Sequence, residues 1–345
     1  MPGFLAKAIF GTSTDAAKDP WQPIIAAAID KAVDGSDPRL RALRGYRRKL
    51  REPVTRAAHF AHEFGEGLPA PIEVSRDAFS VVPQLRAFFS SANRMEEVFS
   101  TSVEVQEFLS TPANRGQDFL HAALVMDLSE RTVLAPALRG EQVQQEVERT
   151  QVSFDEHRVL LPAPTEAGLR RQVKERAFTT LVECALERMV ARRERKGELQ
   201  QQRALLRAKS HAVRATRSGL NTFSAPTQQP VDSSALQRAL EQTEKELRVS
   251  AASGDLLERN LEDLCATLAH PEEFLSLQLE SRRLTGMNYA LAPGDVEPAD
   301  TVEFARIVLK GKTRVCGILA RHPVREIKAA GFYSDKMRRA LGVQR

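Results

Sequence analysis

Between Leu236 and Leu268, alternating steps of four and three residues select ten positions, and seven of them hold leucine: Leu236, Leu240, Leu247, Leu257, Leu261, Leu264 and Leu268. A 3.5-residue repeat sustained this long keeps one apolar stripe turned toward a partner helix, so the spacing predicts a coiled-coil seam. Thr243, Ser250 and Gly254 fill the remaining positions and weaken its middle. On the N-terminal side a second run, Leu199, Leu206, Val213 and Leu220, repeats every seven residues. The two runs are joined by Ser218 to Val231, an uncharged stretch with Gly219, Pro226 and Pro230 that reads as a turn or tip. Residues 165–217 carry a net charge of +8 and residues 232–285 carry −5. A short tip and opposite charges favour an intramolecular antiparallel hairpin over an extended parallel dimer. Exposed ion pairs add only about 0 to 1 kcal/mol each and act mainly on orientation. The leucines carry the energy, roughly 1.5 to 3 kcal/mol per fully buried side chain before entropy is subtracted.

Period-two segments flank this arm on both sides. Phe119 to Asp127, Arg131 to Leu138, Gln151 to Phe154 and Arg158 to Leu161 have β-like composition, and Ser-Glu-Arg and Asp-Glu-His read as turns between them. They predict a small antiparallel meander, with Pro136 at an edge or a strand end. Beyond the arm, Val302 to Leu309 alternates, Lys310-Gly311-Lys312 turns the chain, and Thr313 to Arg321 returns it, with Gly311 where a positive φ is needed. A lone hairpin is marginal in water, so this one should pair with the earlier strands.

The expected fold is therefore α+β and predominantly helical: a small antiparallel sheet body with an inserted antiparallel coiled-coil hairpin. The expected domains are a helical N-terminal region over 1–115, a body formed by 116–164 plus 287–345, and an arm over 165–286 with its tip near 218–233. In the first region Asp19-Pro20 opens a helix that Gly35 stops, Asp37-Pro38 opens a second with Leu40, Leu43 and Leu50, and Glu52-Pro53 restarts a third. Asn93 with Glu96, and separately Ser102, mark two short helices. Eleven of the 16 Phe lie before residue 165, which places the larger core in that half. His270-Pro271 should end the arm and start a further helical piece through Leu284. Pro323 should open a helix, and Ser334-Asp335 a last one ending at Gly342.

The charge pattern narrows the function. Residues 39–56 carry +7, 57–164 carry −8 and 304–345 carry +9, so three basic blocks alternate with acidic ones. A pI near 9.2 suits anionic partners. The candidate anion-binding residues are Arg44, Arg47, Arg48, Lys49, Arg192, Arg193, Lys310, Lys312 and Arg314. Arg306, Arg321, Arg325 and Lys328 extend the last block. No zinc finger, RNP motif or helix-turn-helix accompanies them. No apolar run reaches the roughly 18 residues a membrane span needs. The start, with Phe4, Leu5, Ile9 and Phe10 around Lys7, is a poor secretory signal, and a docked or disordered terminus is a plainer reading than a membrane contact. Three widely spaced cysteines, Cys184, Cys265 and Cys316, form neither a disulfide framework nor a CxxC knuckle, which points to a reducing cytoplasm.

Catalytic patterns are missing from the sequence. Gly311-Lys312-Thr313 resembles the tail of a phosphate-binding loop, but Arg306 stands where its first glycine belongs. No serine or cysteine sits in a nucleophile elbow. His59, His62 and Glu63 lack the paired histidines of HExxH, and Asp155-Glu156-His157 reads as exposed charge at a turn. Asp127 and Glu130, read as flanking a turn, are the one carboxylate pair for a metal-dependent hydrolase or nuclease. No catalytic, cofactor-binding or metal-ligating residue is assigned, and no cofactor is expected. The leading expectation is a non-enzymatic cytoplasmic scaffold whose coiled coil binds a protein partner or a second copy. The runner-up is a nucleic-acid-associated protein gripping phosphates without reading sequence, and an enzyme in the body stands third.

Overall fold

The structure, a computed structural model, describes residues 21–114, 116–139, 142–217, 233–251, 256–292, 295, 297–311, 313–329 and 331–333. The apolar start, most of the arm's tip, Lys312 and the helix expected from Ser334 lie outside these residues. The chain forms two compact units, one of Met1–Ala27, Thr55–Thr179 and His270–Arg345, the other of Ala28–Val54 and Thr180–Ala269.

The first unit is built on six strands: β1 (Ile72–Glu73), β2 (Phe119–Arg139), β3 (Gln142–Ala163), β4 (Leu275–Leu284), β5 (Asp300–Leu309) and β6 (Thr313–Pro323). Their order is β3-β2-β6-β5-β4, antiparallel throughout, with β1 added parallel to β6. The expected terminal hairpin is β5–β6, and it docks on β2 from Phe119↔Pro323 to Asp127↔Val315. Gly311 adopts φ +66° and Lys310 φ 52° at its turn. After β4 the chain doubles back, and Val152 N–H donates to Asn288 O (2.9 Å) while Ala290 N–H donates to Thr150 O (2.8 Å). Those bonds bring the β4 end round to β3 and curl the sheet closed.

Two expectations are corrected here. The four short strands of the meander are two long ones. Ser129-Glu130-Arg131 and Asp155-Glu156-His157 are not turns but lie inside β2 and β3. The alternation is interrupted because β3 carries three bulges, at Glu146, Glu156 and Leu161, with φ of 59°, 51° and 57°. At each, two steps on β2 oppose three on β3, so the inward phase flips and mimics a break. Pro136 sits at one of these irregularities and the strand continues past it. The helix expected over 271–284 is also absent. A single 3-10 turn (Pro271–Glu273) leads directly into β4, where Leu275, Leu277 and Leu279 keep a period of two.

Inside the sheet, Leu120, Ala122, Leu124, Met126, Phe154, Val159, Phe304, Cys316 and Ile318 meet side chains from three short helices, α3 (Pro83–Phe88), α4 (Ala92–Thr101) and α5 (Val103–Ser110). Ser91, two residues before the expected cap, caps α4 through Arg94 N–H, and Ser102 caps α5 as expected. The start of α5 also covers the open edge of β3. Ser102 Oγ donates to Val159 O (3.0 Å), and Glu104 accepts from the bulged Leu161 N–H (2.7 Å). Such side-chain capping blunts an edge that would otherwise recruit another strand. His322, fully buried on β6, stacks on Phe99 at 4.1 Å and donates from Nδ1 to Val74 O at 2.5 Å.

Two longer helices contribute residues to both units: α2 (Tyr46–Glu66) and α6 (Glu166–Arg217). In the sheet unit the end of α2 is closed by α6. Arg170 donates to the carbonyls of Gly65, Leu68 and Pro69, and Lys174 pairs with Glu66 at 2.5 Å. A Cβ on Gly65 would stand 2.4 Å from Lys174 Cγ, so this crossing needs glycine. His59 rests on the Trp21 ring at 4.0 Å and His62 meets it edge-on, which gives both imidazoles of the HFAHE cluster a packing role.

The second unit is helical: the end of α1 (Trp21–Gly35), a 3-10 turn (Pro38–Ala42), the start of α2, Thr180 onward in α6, α7 (Ser233–Ala251) and α8 (Leu256–Ala269). The helix expected from Asp37-Pro38 is only that turn, because the chain becomes extended at Leu43 (φ −77°, ψ 129°) and then left-handed at Gly45 (φ +75°) before α2 begins. Pro53 does not restart a helix but lies within α2. It has no N–H for Lys49 O, and the Cys265 thiol of α8 donates to that carbonyl instead (3.7 Å).

Candidate functional site

The seven leucines of the expected seam divide by position. Leu247, Leu261, Leu264 and Leu268 are buried, whereas Leu236, Leu240 and Leu257 are half-buried. Ion pairs tie α6 to the descending helices: Arg207 with Glu244 (2.6 Å), Arg195 with Glu246 (3.4 Å), and Arg192 with Asp263. Falling numbers on α6 meet rising numbers on α7 and α8, so α6 runs antiparallel to them. At 1.5 Å per residue, the part of α6 from Thr180 to Arg217 extends roughly 57 Å.

The leucine repeat did not reveal the polar row beside it. Asn260, Asp263 and Thr267 are buried on α8. Asn260 donates to Asp37 Oδ2 (2.8 Å), and Arg188 reaches Thr267 Oγ1 (3.2 Å). Arg39 beside Asp37 holds that carboxyl down to about 2, helped by the Asn260 amide against the cost of burial. The i, i+3, i+7 spacing of Asn260, Asp263 and Thr267 is the sequence signal for this row.

The nine candidate anion-binding residues have different fates. Arg47 is held by Asp30 (2.6 Å) and Tyr46 Oη (3.0 Å), and Arg192 by Asp263 and the Arg259 carbonyl. Arg44, Arg48, Lys49 and Arg193 are exposed and make no ion pair with other described residues. Lys310 donates its backbone N–H to Phe274 O, and Arg314 stands opposite Val308 in the hairpin. Arg44, Arg47, Arg48, Lys49, Arg192 and Arg193 belong to the helical unit, and Lys310 and Arg314 to the sheet unit.

On α6, Leu186, Val190 and Leu205 are exposed at 37%, 42% and 56%. At 100° per residue they fall within one face about 100° wide, on the side opposite Leu181, Ala185 and Leu199, which are buried. The helix thus carries two apolar stripes, one used by its own chain and one open.

In the sheet unit, four charges gather where the apolar interior ends: Glu130 on β2, Glu280 and Arg282 on β4, and Arg306 on β5. Arg282 reaches Glu130 at 2.9 Å and Glu280 at 3.2 Å. Period two makes this legible afterwards, since Val302, Phe304 and Arg306 share the inward face. The Asp127–Glu130 pair fares differently from its expectation. The two lie on opposite faces of β2, with Asp127 bound by Arg158 (2.6 Å) and Glu130 by Arg282. Among the described residues no group of three His, Cys, Asp or Glu is placed to hold a metal ion. A separate cavity of about 370 Å³ is lined by Ser100, Val103, Gln106, Ala329, Phe332 and Tyr333. No described helix is long and apolar enough to cross a membrane.

No known protein family, curated protein or solved structure matches this chain.

Proposed function

We propose that the chain is a non-enzymatic cytoplasmic interaction protein, and that its coiled-coil arm, the pairing of α6 with α7 and α8, binds a helical protein partner or a second copy. The open stripe of Leu186, Val190 and Leu205 carries this reading. A helix face with exposed apolar side chains at helical spacing is what a partner helix buries. The interleaved charges, Arg193 and Glu194 among them, would set orientation more than affinity.

The test is sedimentation velocity on the full chain over a wide concentration range, alone and with candidate partners retained on an affinity column. The variant Leu186→Glu with Val190→Glu and Leu205→Glu alters exposed positions and should leave the helical content unchanged. The expected outcome is loss of assembly in that variant. Assembly equal to the wild type, or none in either, refutes the reading.

Four exposed cations without ion pairs among the described residues, Arg44, Arg48, Lys49 and Arg193, favour a second reading in which the same unit grips nucleic-acid phosphates. Titration into labelled mixed-sequence DNA and RNA at low and moderate salt decides it. Binding should fall steeply with salt, and Arg48→Glu with Lys49→Glu should weaken it at least about tenfold. No binding at low salt rejects it.

A further inference from the structure

The charges at the open end of the curled sheet are not equivalent. Arg282 is hydrogen-bonded to Glu280 through both Nε (3.3 Å) and Nη2 (3.2 Å) and reaches Glu130. Arg306, with its side chain 16% exposed, has no aligned hydrogen bond among the described residues. Its Nε lies 2.8 Å from Glu280 Oε1 yet is sealed from solvent without an acceptor in line, and its Nη2 stands 3.8 Å from Glu130. Of its three nitrogens only Nε is sealed from solvent without an acceptor in line.

A guanidinium presents five N–H donors in a planar fork, and the edge formed by its Nη atoms matches two oxygens of one anion. Such donors gain more from an ionised acceptor than from water, because charge-assisted bidentate hydrogen bonds are the stronger ones. β5 supplies the rigidity. Phe304, two residues before Arg306 on the same face, is locked in the core against Phe154 at 5.5 Å. The local charge count also fits. Two arginines and two glutamates make the cluster neutral, and Glu130, 40% exposed, is the partner free to turn toward solvent. Glu280, 19% exposed, stays with Arg282.

We propose that the mouth of the curled sheet binds a small oxyanion, a carboxylate or a phosphate, across the Nη fork of Arg306, with Arg282 adding charge beside it. Glu130 and Glu280 repel an extended polyanion here, so the ligand is a single group and not a nucleic-acid backbone. This site is independent of the arm and stands whether or not the arm binds a partner.

Inorganic phosphate and, separately, acetate are titrated into the full chain at constant ionic strength, read by amide and arginine side-chain NMR shifts. The expected result is saturable shifts confined to residues near 130, 280–282 and 304–308. Arg306→Lys keeps the charge but loses the fork and should weaken binding at least about tenfold. Arg306→Gln should abolish it, whereas Arg158→Gln on the other face of the sheet should change nothing. Saturation by phosphate alone or acetate alone supports the site and names the ligand class. Should Arg306→Gln fail to fold, Glu130→Gln, which removes the competing carboxylate, must tighten binding several-fold. Shifts that follow ionic strength without saturating, or that are equal in wild type and Arg306→Lys, overturn the proposal.

Discussion

Acidification should destabilise the sheet unit through one histidine. His322 has its Nδ1 at 2.5 Å from Val74 O, a separation that requires the proton on Nδ1, and its Nε2 is buried with no partner among the described residues. Charging the ring would place a new N–H⁺ where nothing accepts it. Burial accordingly pushes the imidazole down to about 4, only partly opposed by the Val74 carbonyl and by Glu96. In the unfolded chain the same ring takes its proton near 6.5. Between those values the unfolded state binds more protons, so the contribution is complete above about pH 6.5 and drains away as the pH falls toward 4. Linkage gives a loss of about 2 kcal/mol between pH 7 and pH 5, rising to about 3 at pH 4. Equilibrium urea unfolding at pH 7 and pH 5 measures it, with His322→Gln as the comparison because glutamine retains a donor for Val74 O. The variant should be less stable at pH 7 but lose about 2 kcal/mol less on acidification. His157, His121 and His62 are lowered by burial too, but they are common to both proteins and cancel in the difference. An identical pH dependence in wild type and His322→Gln would refute the argument.

Gly65→Ala should destabilise by roughly 1 to 3 kcal/mol in thermal unfolding, since the added methyl must displace the Lys174 stem. Pro53→Ala restores an N–H to Lys49 O and should stabilise by about 1 to 3 kcal/mol, visible as a higher melting temperature. Burial pushes the Cys265 thiol up to about 11 and the Cys316 thiol up to about 12. At pH 8 both should therefore react with iodoacetamide about 100-fold or more slowly than a free thiol, as mass spectrometry of the native protein can follow.

Local signals served well where one period ran uninterrupted. Gly35 stops α1, Ser102 caps α5, and the Lys310-Gly311 turn joins β5 to β6. They failed where two signals overlapped. Asp155-Glu156-His157 has turn composition but sits in a bulge, and His270-Pro271 makes a single 3-10 turn before Leu275 resumes as a strand. The charged mouth required knowing that β2, β4 and β5 converge, which no spacing along the chain encodes, because Glu130 and Arg306 come together only when the sheet curls. For the same reason Asp37 gave no sign of Asn260.

The three bulges of β3 also decide how this hairpin can assemble. Each demands one left-handed residue, and Glu146, Glu156 and Leu161 accept that role at some cost. Were β3 to slide by one residue, the role would pass to Val147, His157 and Pro162. A β-branched valine resists positive φ, and proline's ring forbids it. A slip in that direction is therefore refused by the backbone itself, before any side chain has had the chance to pack, whereas the opposite slip would bring Gln145, Asp155 and Leu160 to those positions and is opposed only by packing.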